Sequence, residues 1–254
     1  KYISLVGGLI FLLGILQVLF LGINVGEQRI SILGGGPIVF SRWIGVFSLA
    51  VFYDNIKLKK FKFPILILCI FLMLLSGSRG PIIFLLFVFL VVRTIRIQYF
   101  LFLLLMILYL VVLNYQIIFN LIDATPVLSR LFGFAHGSSL IDGSSTTMRL
   151  MLYYDSIQLI KDNLFGYGIG NFSVYSSASK MISMTSYPHN FLMEIFVEHG
   201  IVIFSIIFYL IIRIFNIFFN WIRLDSLNQN DRLVFAIWLF CLMNSFVSGN
   251  LSDS

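Results

Sequence analysis

The 254-residue chain is 59% hydrophobic, 17% aromatic and only 11% charged, with a mean hydropathy of +1.00 and a net charge of +6. A soluble domain carries about a quarter charged residues to solvate its surface, and 28 Phe are more than a core of this size hides, so a soluble enzyme, a disordered tail, collagen and a disulfide scaffold are excluded. Nor does the positive balance point to nucleic acid, because most Lys and Arg flank apolar runs, which is the pattern of membrane topology.

A membrane-spanning helix needs about 20 mostly apolar residues, with roughly 17 to 25 tolerated. In chain order the candidates are 3–25, 37–53, 63–78, 81–97, 99–119, 200–219 and 233–250. The chain opens at Lys1 inside an apolar run, with neither Met nor a cleavable signal pattern, and is expected to be a piece of a longer protein. Cys69 and Cys241 fall inside apolar runs and read as small buried hydrophobes, with no disulfide or metal spacing.

The third and fourth runs are separated only by Ser76-Gly77-Ser78-Arg79-Gly80-Pro81. Two glycines and a proline break a helix there, giving a tight helical hairpin. Counting it as two spans puts Lys57, Lys59, Lys60 and Lys62, then Arg93 and Arg96, then Arg213, Arg223 and Arg232 on one side, the cytoplasm. Counting it as one span sets the first two groups against each other.

The outer side then receives the 26–36 loop, the hairpin turn and a long segment, 120–198, that exceeds a plain connector. Within it, Leu150, Tyr153, Tyr154, Ile157 and Ile160 share a helical face, which predicts an amphipathic helix resting on the membrane or on the bundle. Gly166-Tyr-Gly-Ile-Gly170 follows a helix rather than a strand and reads as a turn cluster, not a dinucleotide loop. Tyr187-Pro188-His189-Asn190 opens a further helix that Gly200 joins to the sixth span. The expected fold class is therefore all-α: a polytopic transmembrane helical bundle with one large extracytoplasmic loop containing amphipathic helices. Residues 1–119 hold five spans, 120–198 the loop and 199–254 the last two spans.

Arg79 is the sharpest chemical signal. Charged residues at that depth are rare and mark function, unless the side chain merely snorkels to headgroups. Small neighbours leave backbone amides accessible beside it, a combination suited to a diphosphate. Arg42, after Gly34-Gly-Gly-Pro37, and Arg149 lie on the same outer side. Three guanidiniums could converge on one polyanionic headgroup, since Arg holds phosphate bidentately and stays charged; or they pair singly with Glu27, Asp142 or Asp155. His189 has the near-neutral pKa suited to taking a proton from an attacking hydroxyl, or it only bonds its own backbone at a helix start. Glu194 and Glu198 stand one turn apart beside His199, as alternative bases or as a solvated face. No zinc spacing and no Asp-x-Asp pair is present.

Taken together, Gly34-Gly-Gly-Pro37, Ser-Gly-Ser-Arg79-Gly-Pro, Met148-Arg149-Leu with Gly166-Tyr-Gly-Ile-Gly, and Pro188-His189-Asn190-Phe-Leu-Met-Glu194…Glu198-His-Gly200 resemble the O-antigen polymerase and ligase superfamily of bacterial envelopes. The resemblance runs from about residue 34 to 220. It implies an integral-membrane glycosyltransferase that needs no metal or other cofactor and acts at the outer face of the bacterial cytoplasmic membrane on an undecaprenyl-diphosphate-linked oligosaccharide. On that reading Arg79, Arg149 and Arg42 hold the diphosphate, and His189, with Glu194, serves the acceptor hydroxyl. Membrane lipid and the chain-length regulator and flippase of the same pathway are the implied partners, and nucleic acid is not one. The glycine-rich start of the second span and the Ser-Arg-Gly-Pro turn lean toward polymerase over ligase. A flippase would instead need charges at mid-bilayer and two similar halves, whereas here the mid-span positions are almost wholly apolar.

Overall fold

The computed structural model describes residues 2–20, 36–53, 61–92, 145–182, 187–223 and 228–248. The protein is an all-α membrane protein, with no strand among these residues. In chain order its helices are α1 (Tyr2–Phe20), α2 (Gly36–Tyr53), α3 (Lys62–Leu75), α4 (Arg79–Val91), α5 (Ser145–Asp162), α6 (Phe172–Tyr175), α7 (Ser177–Ile182), α8 (Phe191–Arg223) and α9 (Gln229–Ser248). The expected fifth span, 99–119, the first part of the long loop, 120–144, and most of the 26–36 loop lie outside the described residues. Among the described residues three helices contain stretches long and apolar enough to cross a membrane: Gly36–Tyr53, Phe191–Asn220 and Gln229–Val247. The chain divides into two compact units, Lys1–Gly137 with Ser226–Cys241 and Ser138–Asp225 with Leu242–Ser254.

In the first unit α2 is the hub, packing against α1, α3 and α4. Small residues let neighbours come close, which is how helices gain packing where lipid removes the hydrophobic drive. Gly14 of α1 lies against the Phe40 ring, with Leu72 of α3 beside it, and Gly45 of α2 lies against the Phe240 ring. The inward face of α2, with Phe40, Ile44, Leu49 and Ala50, is almost fully buried. Ser48, buried with them, donates its hydroxyl to the Gly45 carbonyl at 2.7 Å, so the polar atom is satisfied without leaving the helix. At the other end of α2, Phe52 meets Phe89 edge-on at 5.0 Å and carries the Lys62 ammonium 4.7 Å above its ring.

Gly7 and Gly8 give a direct test of this packing. A Cβ on Gly7 would stand 2.8 Å from the Cβ of Phe47, an atom fixed to the α2 backbone, whereas one on Gly8 meets the far edge of the same ring at 3.6 Å. Gly7→Ala is expected to cost about 1–3 kcal/mol and to lower the melting temperature in detergent. Gly8→Ala should leave it unchanged or raise it by the roughly 1 kcal/mol that alanine gains over glycine in a helix. Equal losses from both would show that α1 does not approach α2 as described.

The α3–α4 hairpin turns at Ser76, Gly77 and Ser78, inside the expected 76–81 break, with α4 starting two residues ahead of the expected 81. Proline is tolerated in the first helical turn, where its missing N–H would have no partner anyway, so α4 starts at Arg79 and takes Gly80 and Pro81 into its first turn. At 14 and 13 residues, α3 and α4 run about 21 and 20 Å, short of a hydrocarbon core of about 30 Å. Cys69 is buried, but Cys241 is exposed on α9, which corrects the expectation for that residue. An apolar run marks a position as bilayer-compatible without saying whether it faces protein or lipid.

In the second unit Leu152 and Leu159 of α5 pack with Phe172 of α6, Ala178 of α7 and Val197 of α8. The inward stripe of α5 is therefore Leu152, Ser156 and Leu159. Leu150, Tyr154 and Ile157, taken from the sequence as part of the packing or membrane-resting face, point outward and are exposed, while Tyr153 and Ile160 are half-buried. Ser156 can sit inside because its hydroxyl donates to the Leu152 carbonyl at 2.6 Å. Asp155 ties α5 to α7: its Oδ2 accepts from the Ser176 hydroxyl and from the Ala178 amide, both at 2.7 Å, capping the start of the short helix.

Candidate functional site

Pro188 and Asn190 set the geometry around His189. Asn190 is the N-cap of α8, its Oδ1 accepting from the Leu192 and Met193 amides at 3.0 and 3.2 Å. The residue before this cap, His189, adopts the left-handed conformation (φ 55°), and its ring packs on Tyr187 at 4.2 Å between centroids. Such a backbone is uncommon outside glycine, although His is among the residues that tolerate it, and strain of this kind collects at functional positions. The buried Nδ1 of His189 has no hydrogen-bond partner among the described residues.

Arg149, 40 residues earlier in sequence and one turn into α5, lies close enough for its charge to act on His189. Burial first, and then the Arg149 guanidinium, push the imidazole down from its ordinary value to about 4. His189 is therefore a neutral imidazole at physiological pH, with lone-pair capacity, beside a fixed positive charge. Arg149 itself is half-buried, and its Nε is likewise without a hydrogen-bond partner among the described residues. A neutral imidazole can accept a proton, and a guanidinium beside it can attract an anion.

The two glutamates of α8 part company. Glu194 lies buried in the first turn, at 2% exposure, where the helix dipole favours a carboxylate. Glu198 does something sequence reasoning missed. Its Oε2 accepts from the Gly170 amide at 2.9 Å and its Oε1 from the Phe172 amide at 3.3 Å, while its own carbonyl accepts from Gly168 at 2.9 Å and that of Val197 from Tyr167 at 2.9 Å. The glycine cluster is thus clasped onto α8 around the Gly200 joint, where the helix is broken by φ 76° and ψ −178°. Gly166, Gly168 and Gly170 all have positive φ; the Gly168 and Gly170 amides donate to the carbonyl and the carboxylate of Glu198, and the Gly166 amide to the Asn163 carbonyl at 3.3 Å. The alternating glycines were legible in the sequence, but nothing in it named Glu198 as their acceptor.

In the first unit, Arg79 is the first residue of α4 and is half-buried. The turn before it is ordered by the Ser76 hydroxyl, which donates to the Met73 carbonyl at 2.7 Å and accepts from the Ser78 amide at 3.3 Å. An arginine here adds to the positive end of the helix dipole, and an anion approaching the turn meets both. Arg42 sits in the second turn of α2, half-buried, its side chain tilted by helix geometry toward the Gly36 end. Arg149, His189, Glu194 and Glu198 belong to the second unit, Arg42 and Arg79 to the first. Among the described residues no group of three or more His, Cys, Asp or Glu is placed to hold a metal ion.

A family model described as O-antigen ligase matches residues 64–208, more than half of the chain. The chain belongs to the O-antigen ligase family. The matched stretch of this O-antigen ligase family member takes in Arg79, Arg149, His189, Glu194 and Glu198, and leaves Arg42 outside. The family is one of glycosyltransferase-like enzymes of the O-antigen ligase and polymerase type. Neither the curated proteins nor the solved structures compared with the chain gave a match.

Proposed function

We propose that this protein polymerises undecaprenyl-diphosphate-linked oligosaccharide repeat units into a surface polysaccharide, O-antigen or capsule, at the outer face of the cytoplasmic membrane. In the step proposed, the acceptor sugar hydroxyl attacks the anomeric carbon of the donor. The bond from that carbon to the diphosphate oxygen breaks, the lipid diphosphate leaves with the electron pair, and His189 takes the hydroxyl proton. Arg149 holds the departing diphosphate and Glu194 is the second acid–base group; Arg79 and Arg42 are proposed as diphosphate-binding residues from the family resemblance. No metal or nucleotide is called for, because the donor arrives activated on its lipid. The observation that carries the reading is the entry to α8, where left-handed His189 holds a buried Nδ1 without a hydrogen-bond partner among the described residues and Arg149, 40 residues earlier, lies near enough to lower its pKa. A second reading, transfer of the finished glycan to a lipid or protein acceptor, is favoured by the description of the matched family. The two share the donor chemistry and differ in acceptor.

Glycan profiling of a deletion strain tests the proposal. Single-repeat products are expected, with long chains restored by the wild-type protein. Arg79→Ala, membrane-inserted at normal level, should lower chain extension by about 10²-fold or more, the usual loss when a group stabilising transition-state charge is removed. Accumulated lipid-linked polymer in the deletion strain would favour the ligase reading. Precursors trapped inside the cell would mean a flippase and would overturn both enzyme readings.

A further inference from the structure

The glycine cluster carries apolar side chains that neither the clasp nor the proposed chemistry uses. Phe165 is 81% exposed and Ile169 78%, and Leu164, Val174 and Tyr175 are about half exposed. Single exposed apolar residues are ordinary on any protein surface. These five are not scattered, because they lie on one loop whose backbone is fastened to α8 at Leu164, Tyr167, Gly168, Gly170 and Phe172. The Ile201 amide donates to the Leu164 carbonyl at 2.8 Å, and the backbone of Phe165 lies so close to Gly200 that no Cβ fits there.

Ile201 is also where α8 becomes a membrane segment. From Ile201 to Asn220 the helix has a charge only at Arg213, and the most apolar 18-residue window of α8 has no buried residue. Ile201, Val202, Ile203, Ile206 and Phe208 are all exposed among the described residues, the surface that a membrane-spanning helix offers to lipid acyl chains. The loop thus presents its aromatic and aliphatic side chains at the first residue of a membrane-spanning helix, continuous with that surface. Lys161 and Asp162, exposed at the end of α5 just before the loop, supply the polar border that an interfacial element requires.

We propose that the 164–175 loop is a membrane-interface wedge, with Phe165 and Ile169 seated in the acyl-chain boundary of the leaflet that meets the start of the α8 span. The occupant of the patch is bulk phospholipid. The consequence for the second unit is a fixed depth: the loop that Glu198 and Gly200 hold against α8 would anchor α5 and the Arg149–His189 pair at the level of lipid headgroups. The wedge stands on the span and the clasp alone, and it holds or fails independently of the glycosyl-transfer reading.

The test uses the full chain, one copy per phosphatidylcholine nanodisc, with Cys69→Ala and Cys241→Ala as background. Phe165→Cys and Ile169→Cys are labelled with an environment-sensitive fluorophore, and Ile203→Cys serves as the reference inside the bilayer. Lipids spin-labelled at a shallow acyl carbon should quench positions 165 and 169 at least about half as strongly as 203, and aqueous iodide should quench them roughly threefold less than the free dye. Iodide quenching equal to that of the free dye would place the loop in water and overturn the proposal. Shielding from both quenchers would mean that protein covers the patch, which overturns it equally.

Discussion

Replacing His189 by glutamine is expected to lower the rate of glycan transfer by about 10² to 10⁴-fold, the range for removing a positioned general base, with the protein still inserted and folded. Glutamine keeps a hydrogen-bonding group of similar reach but has no basic nitrogen. The pH dependence separates a base from a structural histidine. In the free protein the imidazole is depressed to about 4, by burial first and by Arg149 second, so kcat/KM should stay flat through neutrality and fall only as pH approaches 4. Arg149→Gln removes the second cause and not the first, so the acid limb of its residual activity should move up part of the way toward the ordinary histidine value near 6.5. A bound diphosphate would offset the Arg149 charge and act in the same direction, so the limb in kcat should lie above that in kcat/KM. The sign for stability follows. Because the folded pKa lies below the unfolded one, the unfolded chain binds the extra proton between about pH 6.5 and 4, and stability falls as pH drops through that window. A limb at 6.5 in both proteins, or a His189→Gln variant with a tenth of wild-type activity, would remove His189 from the role of base.

How far the sequence could be read differs from element to element. Shortage of charge was enough for an all-α membrane protein, because a surface with so few ionic groups can only be solvated by lipid. The Gly-Pro cluster after Leu75 marked the α3–α4 turn, and α4 starts two residues early because a proline in a first turn does not stop a helix. Gly200 was legible as a joint and Gly166–Gly170 as a turn cluster, since glycine is the residue that adopts positive φ freely. Periodicity marked the apolar face of α5 that is exposed at Leu150, Tyr154 and Ile157, and failed only to find the buried stripe opposite it. In a chain with lipid on its outside, apolar side chains point both ways, and a serine whose hydroxyl bonds its own helix can be the buried one. It failed for Glu198 as well, whose partners are backbone amides 28 and 26 residues away and leave no trace in local pattern. The meeting of Arg149 with His189 is of the same kind: the family resemblance named both residues, and only the fold of the second unit sets one beside the other.

Gly166→Ala and Gly200→Ala should be the most damaging small substitutions in the second unit. A methyl on Gly166 would stand 2.5 Å from the Glu198 carbonyl oxygen and 2.6 Å from the Gly200 nitrogen, and one on Gly200 would run into the backbone of Phe165. Both clashes are against main chain, so no rotamer change relieves them, and both positions have positive φ as well. A loss of about 3 kcal/mol or more is expected from either, read as a lower unfolding temperature and as faster proteolysis of the loop. Gly170→Ala is the internal control. It has the same sign of φ (73°) and lies in the same loop, but nothing stands within 4 Å of its added methyl, so only the conformational cost of roughly 1–2 kcal/mol remains. Glu198→Ala leaves the Gly170 and Phe172 amides without their acceptor and should fall between these limits. Equal damage at 166 and 170 would mean that the loop is not clasped to α8. Activity adds a second reading of the same variants. Arg149 stands on α5 and His189 at the start of α8, and the chain between those helices is fastened at Gly166 and Gly200. Glycan transfer should therefore be lost with the clasp, and survive the strain at Gly170 that leaves the clasp closed.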